Sequence, residues 1–266
     1  MRLCRLDIEE VASGEGRVIG FWGAPPREAL EAAAARFPGA EFFDLDVFHR
    51  AAGSKTLPDA FCHIVRNCVD NAITLAEAGR LDCVVAATGE EKCDSGRFAA
   101  RLVEELTGVE VVRTVNPPRG EAEETPLCEA AGPLKKRIIR VMDSIVEPLT
   151  AAETREARRA ACEPTHGFWG TPPHPIELLD LFPETTHAFG WTRCVEAGRP
   201  ADLELELEVP EGLPVVFFSQ GFCAKSMLAR HLAERHRGMY VDVHDTLGAA
   251  TMAKIEAFIR LSGRAP

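Results

Sequence analysis

The chain contains nine cysteines, and three of them share one local setting. Cys93 follows the apolar run DCVVAAT and a GEEK turn, and Cys223 follows the apolar run PVVFFSQ. Cys62 falls in the first turn of a helix that the sequence predicts to begin near Pro58-Asp59. Each thiol is therefore expected near a helix N-terminus, where free N–H groups and the helix dipole favour a thiolate.

Three converging thiolates would suit a soft metal centre, above all an iron–sulfur cluster. The spacing is not a CxxC array, so an alternative stays open in which these are buried cysteines at strand ends. The remaining six fit that alternative better, and they are Cys4, Cys68, Cys83, Cys128, Cys162 and Cys194. An odd number of cysteines also argues against a fully paired disulfide framework.

Polar residues beside these cysteines are candidates for catalysis. His63 adjoins Cys62 and could move a proton, although a helix-packed histidine is the plainer interpretation. Arg97 follows Cys93 by one helical turn and could bind an anionic substrate or a cluster sulfide, with a surface arginine as the alternative. Arg66 has the same relation to Cys62.

Composition limits the classes of function. The chain has 266 residues and a net charge of −11 without a dense Lys/Arg run, so nucleic-acid binding is not expected. No apolar stretch approaches the roughly 18 residues of a spanning helix, and the first residues contain no apolar signal core. The sequence therefore predicts a cytoplasmic protein that does not bind membranes.

A repeat divides the chain into two halves. GFWGAPP at 20–26 and GFWGTPP at 167–173 agree at six of seven positions. The segments 93–111 and 223–241 align without a gap and agree at six of nineteen positions, which pairs Cys93 with Cys223. Repeats of this kind indicate duplicated units, and the alternative is chance with shared helix composition.

Each half alternates strand-like and helix-like segments, which predicts an α/β fold with parallel sheets and ligands at the carboxyl ends of the strands. We predict two similar flavodoxin-like domains, 1–150 and 151–266, with a cleft between them that Cys93 and Cys223 face. The segment DLELELEV at 202–209 alternates polar and apolar residues, which predicts an exposed strand. The polar segment 150–165 is expected to be the connection between the halves.

Several segments together resemble the 2-hydroxyacyl-CoA dehydratase/benzoyl-CoA reductase superfamily, which includes the double-cubane cluster proteins. They are LPDAFCHIVRN, LDCVVAATGEEKCDSGR, VVRTVNPP, GFWGAPPREAL, SQGFCAKS and MAKIEAF, and they span about residues 17–262. Each motif is loose, and their order and spacing carry the resemblance.

The resemblance implies two flavodoxin-like domains that hold a [4Fe-4S] or double-cubane [8Fe-9S] cluster, with Cys62, Cys93 and Cys223 as ligands. It implies low-potential reductive or radical chemistry on a small substrate, fed by a separate ATP-hydrolysing iron–sulfur activator protein, and a homo- or heterodimer. Dehydratase subunits are much longer, and this chain has no GxxxxGK[ST] loop. Two functions therefore stay open: a cluster-dependent oxidoreductase or dehydratase subunit, and a non-catalytic cluster carrier, scaffold or small-ligand binding subunit.

Overall fold

The computed structural model describes residues 8–47, 56–90, 92–116, 124–244 and 246–263. Cys4 lies outside these ranges. The chain divides into two compact units, Met1–Gly120 and Glu121–Pro266. Each unit contains a four-stranded sheet in which all strand pairs are parallel. The predicted α/β class is thus confirmed.

In the described residues of the first unit, four strands form one sheet, and four helices accompany it. The strands are β1 (Val18–Trp22), β2 (Glu41–Asp44), β3 (Leu81–Ala87) and β4 (Val111–Thr114). The helices are α1 (Ile8–Ser13), α2 (Arg27–Arg36), α3 (His63–Glu77) and α4 (Asp94–Thr107). The strand order β2-β1-β3-β4 matches the first four strands of the doubly wound flavodoxin-like order.

Helices α1, α3 and α4 pack on one face of this sheet. Their core includes Val18 and Trp22 of β1 together with Val69 of α3 and Val103 of α4. The alternate β1 residues point to the opposite face, as the two-residue period of a strand requires, and they too are buried. A sheet buried on both faces explains why the strands read as continuous apolar runs in the sequence.

The second unit repeats the sheet order with more helices around it. Its strands are β5 (His166–Trp169), β6 (Thr186–Phe189), β7 (Val215–Gln220) and β8 (Met239–Val243), in the order β6-β5-β7-β8. Its α-helices are α5 (Pro126–Glu129), α6 (Leu134–Asp143), α7 (Ala151–Arg159), α8 (Trp191–Glu196), α9 (Leu203–Leu207), α10 (Ser226–His236) and α11 (Ala249–Ser262). A 3₁₀ helix covers Ile176–Leu181.

The GFWG repeat has a physical basis in both sheets. A Cβ atom on Gly20 would lie 2.6 Å from the Leu45 side chain, and one on Gly167 would lie 2.7 Å from Val215. Neither position can hold a larger residue without a shift of the neighbouring side chains. The fourth residue of each repeat, Gly23 or Gly170, has a positive φ of 72° or 148°, which glycine adopts without strain. The common topology suits a duplication, which stays a prediction.

The division between the units differs from the predicted boundary at 150. Helix α6 precedes the predicted boundary in sequence, yet it packs against α8, β6 and the 3₁₀ helix of the second unit. Residues 151–159, expected within the connection, form α7, which starts with a capping box between Thr150 and Glu153. The apolar face of α6 places Leu134, Ile138 and Val141 in the interior of the second unit, and this burial fixes the helix there.

The prediction of a strand at DLELELEV is wrong, because residues 203–207 form helix α9. The Asp202 carboxylate caps this helix by accepting hydrogen bonds from the Glu204 and Leu205 N–H groups at 3.0 and 3.3 Å. Glu206 is fully buried, and its carboxylate pairs with the Lys225 ammonium. The Glu206 carbonyl accepts the Trp169 indole N–H at 2.7 Å. Two-residue alternation cannot reveal these tertiary contacts.

Removal of the Lys225 charge tests the importance of this ion pair. Glu206 has only 1% of its side chain exposed, so Lys225→Met leaves a buried carboxylate without its cation. We expect the free energy of unfolding to fall by about 2 kcal/mol, less than for a fully buried pair because a third of the Lys225 side chain is exposed. Urea unfolding followed by circular dichroism measures the change.

A matched control is Arg230→Met, which removes a cation from an exposed ion pair with Glu234 on α10. Its expected change in unfolding free energy is below about 0.5 kcal/mol. The double variant Glu206→Gln/Lys225→Met should recover stability relative to Lys225→Met, because the uncompensated charge is then removed. Equal stability of Lys225→Met and Arg230→Met would contradict this account.

Candidate functional site

Cys62 precedes helix α3 directly, at its N-cap position. Its carbonyl accepts the Arg66 N–H at 3.0 Å, which is the first hydrogen bond of the helix. The helix starts later than predicted from Pro58-Asp59, since those residues form a turn in which the Phe61 N–H reaches the Pro58 carbonyl. The buried Arg66 guanidinium holds this turn through the Asp59 carbonyl and carboxylate at 3.2 and 3.1 Å.

Cys93 has the same relation to helix α4. Cys93 is the N-cap residue and is exposed to solvent. Its carbonyl accepts hydrogen bonds from the N–H groups of Gly96 and Arg97 at 3.1 and 3.3 Å. Asp94 is the first residue of the helix. Because α3 and α4 pack against each other, Cys62 and Cys93 lie at the starts of two neighbouring helices.

Cys223 lies in the turn between β7 and α10, three residues before the helix begins at Ser226. The turn is tight: the Cys223 N–H donates to the Gln220 carbonyl at 3.0 Å, and the Cys223 carbonyl accepts from Ser226 at 3.0 Å. Phe222 adopts a left-handed φ of 59°, and its ring packs edge-on against His244 at 4.7 Å. The cysteine is half-buried.

The two predicted catalytic residues have different surroundings. His63 is the first residue of α3 and is buried against the first unit, a setting that agrees with a helix-packed histidine. Arg97 is half exposed on the first turn of α4, where its guanidinium lies 3.6 Å from the Asp94 carboxylate. Their catalytic roles stay predictions.

The other cysteines of the described ranges are mostly core residues. Cys68, Cys83, Cys128 and Cys194 are buried, while Cys162 is half-buried. Burial raises the pKa of the Cys83 thiol to about 11 and that of Cys194 to about 12, which keeps both thiols protonated at neutral pH. Only exposed or half-buried thiols, including the three at helix starts, are accessible to a ligand.

Sequence reasoning missed a carboxyl pair at the end of β2. Asp44 is buried, and its carboxylate accepts the Asp46 N–H at 3.2 Å. Two asparagines of α3 hold the loop in place: Asn67 donates to the Asp46 carbonyl at 3.1 Å, and Asn71 donates to the Leu45 and Val47 carbonyls. The motif DLD is a detectable signal, but only the fold brings it against α3.

Burial is the main reason that both carboxyl groups bind protons more tightly than usual. It raises the pKa of Asp46 to about 6, and burial together with the nearby Asp46 charge raises the pKa of Asp44 well above its usual range. The pKa of the neighbouring Cys68 thiol is also raised, by burial and then by these two carboxylates. The pair can therefore hold a proton near neutral pH.

Within the ranges that the structure describes, no three His, Cys, Asp or Glu side chains form a group able to hold a metal ion. No described helix is both long and apolar enough to cross a bilayer. No protein-family model matches the chain, and no similar sequence is found among curated proteins.

The carboxyl pair makes stability depend on pH. A carboxyl group whose pKa is higher in the folded than in the unfolded chain stabilises the fold below its unfolded pKa, near 4, and loses this contribution as pH rises through the folded value. Asp46→Asn should therefore be similar to the wild type in stability near pH 4. Above about pH 6 it should be more stable by on the order of 1 to 2 kcal/mol.

Urea unfolding of both proteins at several pH values between 4 and 8 measures this difference. The control is Glu31→Gln, which removes a carboxylate from an exposed position on α2; its difference from the wild type should not change with pH in this way. A pH-independent difference for Asp46→Asn would refute the interpretation of the carboxyl pair.

Proposed function

We propose that this protein is an iron–sulfur redox protein of the 2-hydroxyacyl-CoA dehydratase type, in which Cys62, Cys93 and Cys223 bind a low-potential cluster. The observation that carries the proposal is the shared setting of the three cysteines. Cys62 and Cys93 immediately precede a helix, and Cys223 lies three residues before one. Each of these helices follows a parallel strand. The resemblance to the dehydratase superfamily implies the same three residues as cluster ligands.

The chemistry of the donor set fits such a cluster. Cysteine thiolates are the usual ligands of iron–sulfur clusters, and the positive end of a helix dipole stabilises thiolates. Cys93 is exposed and the other two are half-buried, so none of the three cysteines is enclosed in a packed core. The bound cluster would supply low-potential electrons for reductive or radical chemistry on a small substrate.

The protein residues around the thiols would supply binding and proton transfer. Arg97, half exposed beside Cys93, would bind an anionic group through its guanidinium. His63, buried next to Cys62, would hold or donate a proton on the protein side. A shielded site is needed, since water and oxygen compete with such chemistry.

Iron binding tests the ligand assignment directly. Protein purified without oxygen should be brown, with broad absorption near 400 nm and about four or more iron atoms per chain. Cys93→Ser, Cys62→Ser and Cys223→Ser should each lose most of the iron. Cys162→Ser is the matched control, because Cys162 is also half-buried but follows the end of α7 instead of preceding a helix, and it should keep the full iron content.

The two functions left open by the sequence give different results in this experiment. A colourless, iron-free wild type after anaerobic expression with ample iron would refute the cluster and favour a scaffold or small-ligand subunit. A brown protein that never reduces a substrate would favour a cluster carrier. Loss of activity in Cys93→Ser with full iron content would move the function away from the cluster.

Electron delivery gives a separate test. The resemblance implies a separate ATP-hydrolysing iron–sulfur activator, and transient redox contacts of this kind are small and polar. We expect the cluster to be reduced, as followed by its absorbance, when a candidate activator, dithionite and ATP are all present. Omission of ATP should prevent the reduction. Complete reduction and turnover with dithionite alone would show that no activator is required.

A further inference from the structure

The second unit contains a cavity of about 240 Å³ between helices α5, α7, α8 and α9. Pro126, Ala197 and Leu205 form apolar parts of its lining, and Arg158 and Arg193 contribute guanidinium groups. None of the three cysteines assigned to the cluster lines this cavity. Its role is therefore a separate question from the proposed function.

Arg193 is the unusual member of the lining. Only 21% of its side chain is exposed, and its guanidinium lies 4.0 Å from the Glu129 carboxylate and 3.5 Å from that of Glu208. Its Nε is buried and has no hydrogen-bond partner in the described part of the chain. A buried donor without an acceptor costs about 1–3 kcal/mol, so its position calls for an explanation.

Arg137, in the same unit, is buried, whereas Arg193 is half-buried. The Arg137 guanidinium donates to the carbonyls of Leu127, Gly132 and Thr186 at 2.8, 3.1 and 2.6 Å. Backbone acceptors thus satisfy the Arg137 guanidinium, whereas the Arg193 guanidinium at the cavity has carboxylates no closer than 3.5 Å. An acceptor brought by a ligand would give the terminal nitrogens of Arg193 a partner closer than these two carboxylates.

Hydrogen bonds connect helix α8, which contains Arg193, to helix α5, which also lines the cavity. The Glu196 carboxylate, on the same helix α8, accepts the Leu127 and Cys128 N–H groups at 2.7 and 2.8 Å. Glu129 is held in turn by the Thr125 hydroxyl at 3.0 Å. Because these contacts tie α5 to α8, the cavity is formed before any ligand arrives, which reduces the entropic cost of binding.

The charged groups of the lining and the volume of the cavity indicate the class of ligand that it could bind. A guanidinium matches a carboxylate in a planar, two-point contact, while the nearby Glu129 and Glu208 carboxylates disfavour a doubly charged phosphate. The apolar lining suits a short hydrocarbon chain. At about 30 Å³ for each water-sized group, 240 Å³ accommodates about eight non-hydrogen atoms.

We propose that this cavity binds a small monocarboxylate with a short apolar tail, with the carboxylate on Arg193 and the tail against Pro126, Ala197 and Leu205. Plain carboxylic acids and α-amino acids share this chemistry. The α-amino acids also have an ammonium group, which could donate a hydrogen bond to the Glu129 carboxylate.

Isothermal titration calorimetry of the full chain with butyrate, L-2-aminobutyrate and inorganic phosphate tests the proposal. Saturable binding of one or both organic acids, at least tenfold tighter than phosphate, is the expected result. Tighter binding of L-2-aminobutyrate than of butyrate would identify the amino acid as the source of the carboxylate. Absence of saturable binding by both acids, or binding of phosphate as tight as theirs, would overturn the proposal.

Three variants assign the binding to this cavity. Arg193→Gln should weaken binding at least tenfold, as expected for a lost charge-assisted hydrogen bond. The control Arg230→Gln, at an exposed position of α10, should bind like the wild type. Ala161→Leu fills the cavity from an exposed lining position and should also weaken binding while it leaves Arg193 in place. Unchanged affinity in both Arg193→Gln and Ala161→Leu would place the ligand elsewhere and overturn the proposal.

The outcome is independent of the cluster. Iron content and absorbance should be unchanged in Arg193→Gln, since Arg193 and the three cysteines are on different elements of the chain. Failure of the carboxylate site would thus leave the cluster proposal intact, and loss of the cluster would leave the binding test valid.

Discussion

Parallel strand pairing is the constraint on which both units depend. Parallel strands cannot be joined by tight turns, so a crossover segment must return the chain to the amino-terminal end of the sheet before each new strand begins. The carboxyl ends of all strands in one sheet consequently lie together, and the helices that follow begin there. Cys62, Cys93 and Cys223 owe their positions at helix starts to this rule. The same rule places the loop after β2, which contains Asp46, against Asn67 of α3.

The two sheets use the same strand order with different polar supports. In the first unit, the Trp22 indole N–H is buried without an acceptor among the described residues. The corresponding Trp169 of the second unit donates to the Glu206 carbonyl at 2.7 Å. Helix α9, which provides this carbonyl, also buries the Glu206 carboxylate against Lys225. A tryptophan of the repeated motif is thus a purely apolar core residue in one unit and part of a polar network in the other.

Charged side chains in the second unit differ in how completely they are hydrogen-bonded, and this difference separates structural positions from a candidate functional one. Arg137 donates to several carbonyls, and Glu196 accepts two N–H groups of α5, so each stabilises the fold through complete hydrogen bonding. Arg193 lies between carboxylates at 3.5 and 4.0 Å, and its Nε has no acceptor in the described residues. Incomplete satisfaction of a buried group beside a cavity is the pattern expected where a ligand supplies the missing partner.

Apolar runs, helix signals and the GFWG repeat were sufficient to determine the α/β class and the order of strands such as β1, β3, β5 and β7 along the chain. They also predicted that Cys62 and Cys93 lie at helix starts, because these are properties of local sequence. The sequence failed where distant contacts decide. Residues 203–207 alternate like a strand, yet Asp202 capping and the pairing of Glu206 with Lys225 make them a helix. The raised pKa of Asp46 and the incomplete hydrogen bonding of Arg193 likewise depend on burial among residues far apart in the chain, and burial is a property of the tertiary structure alone.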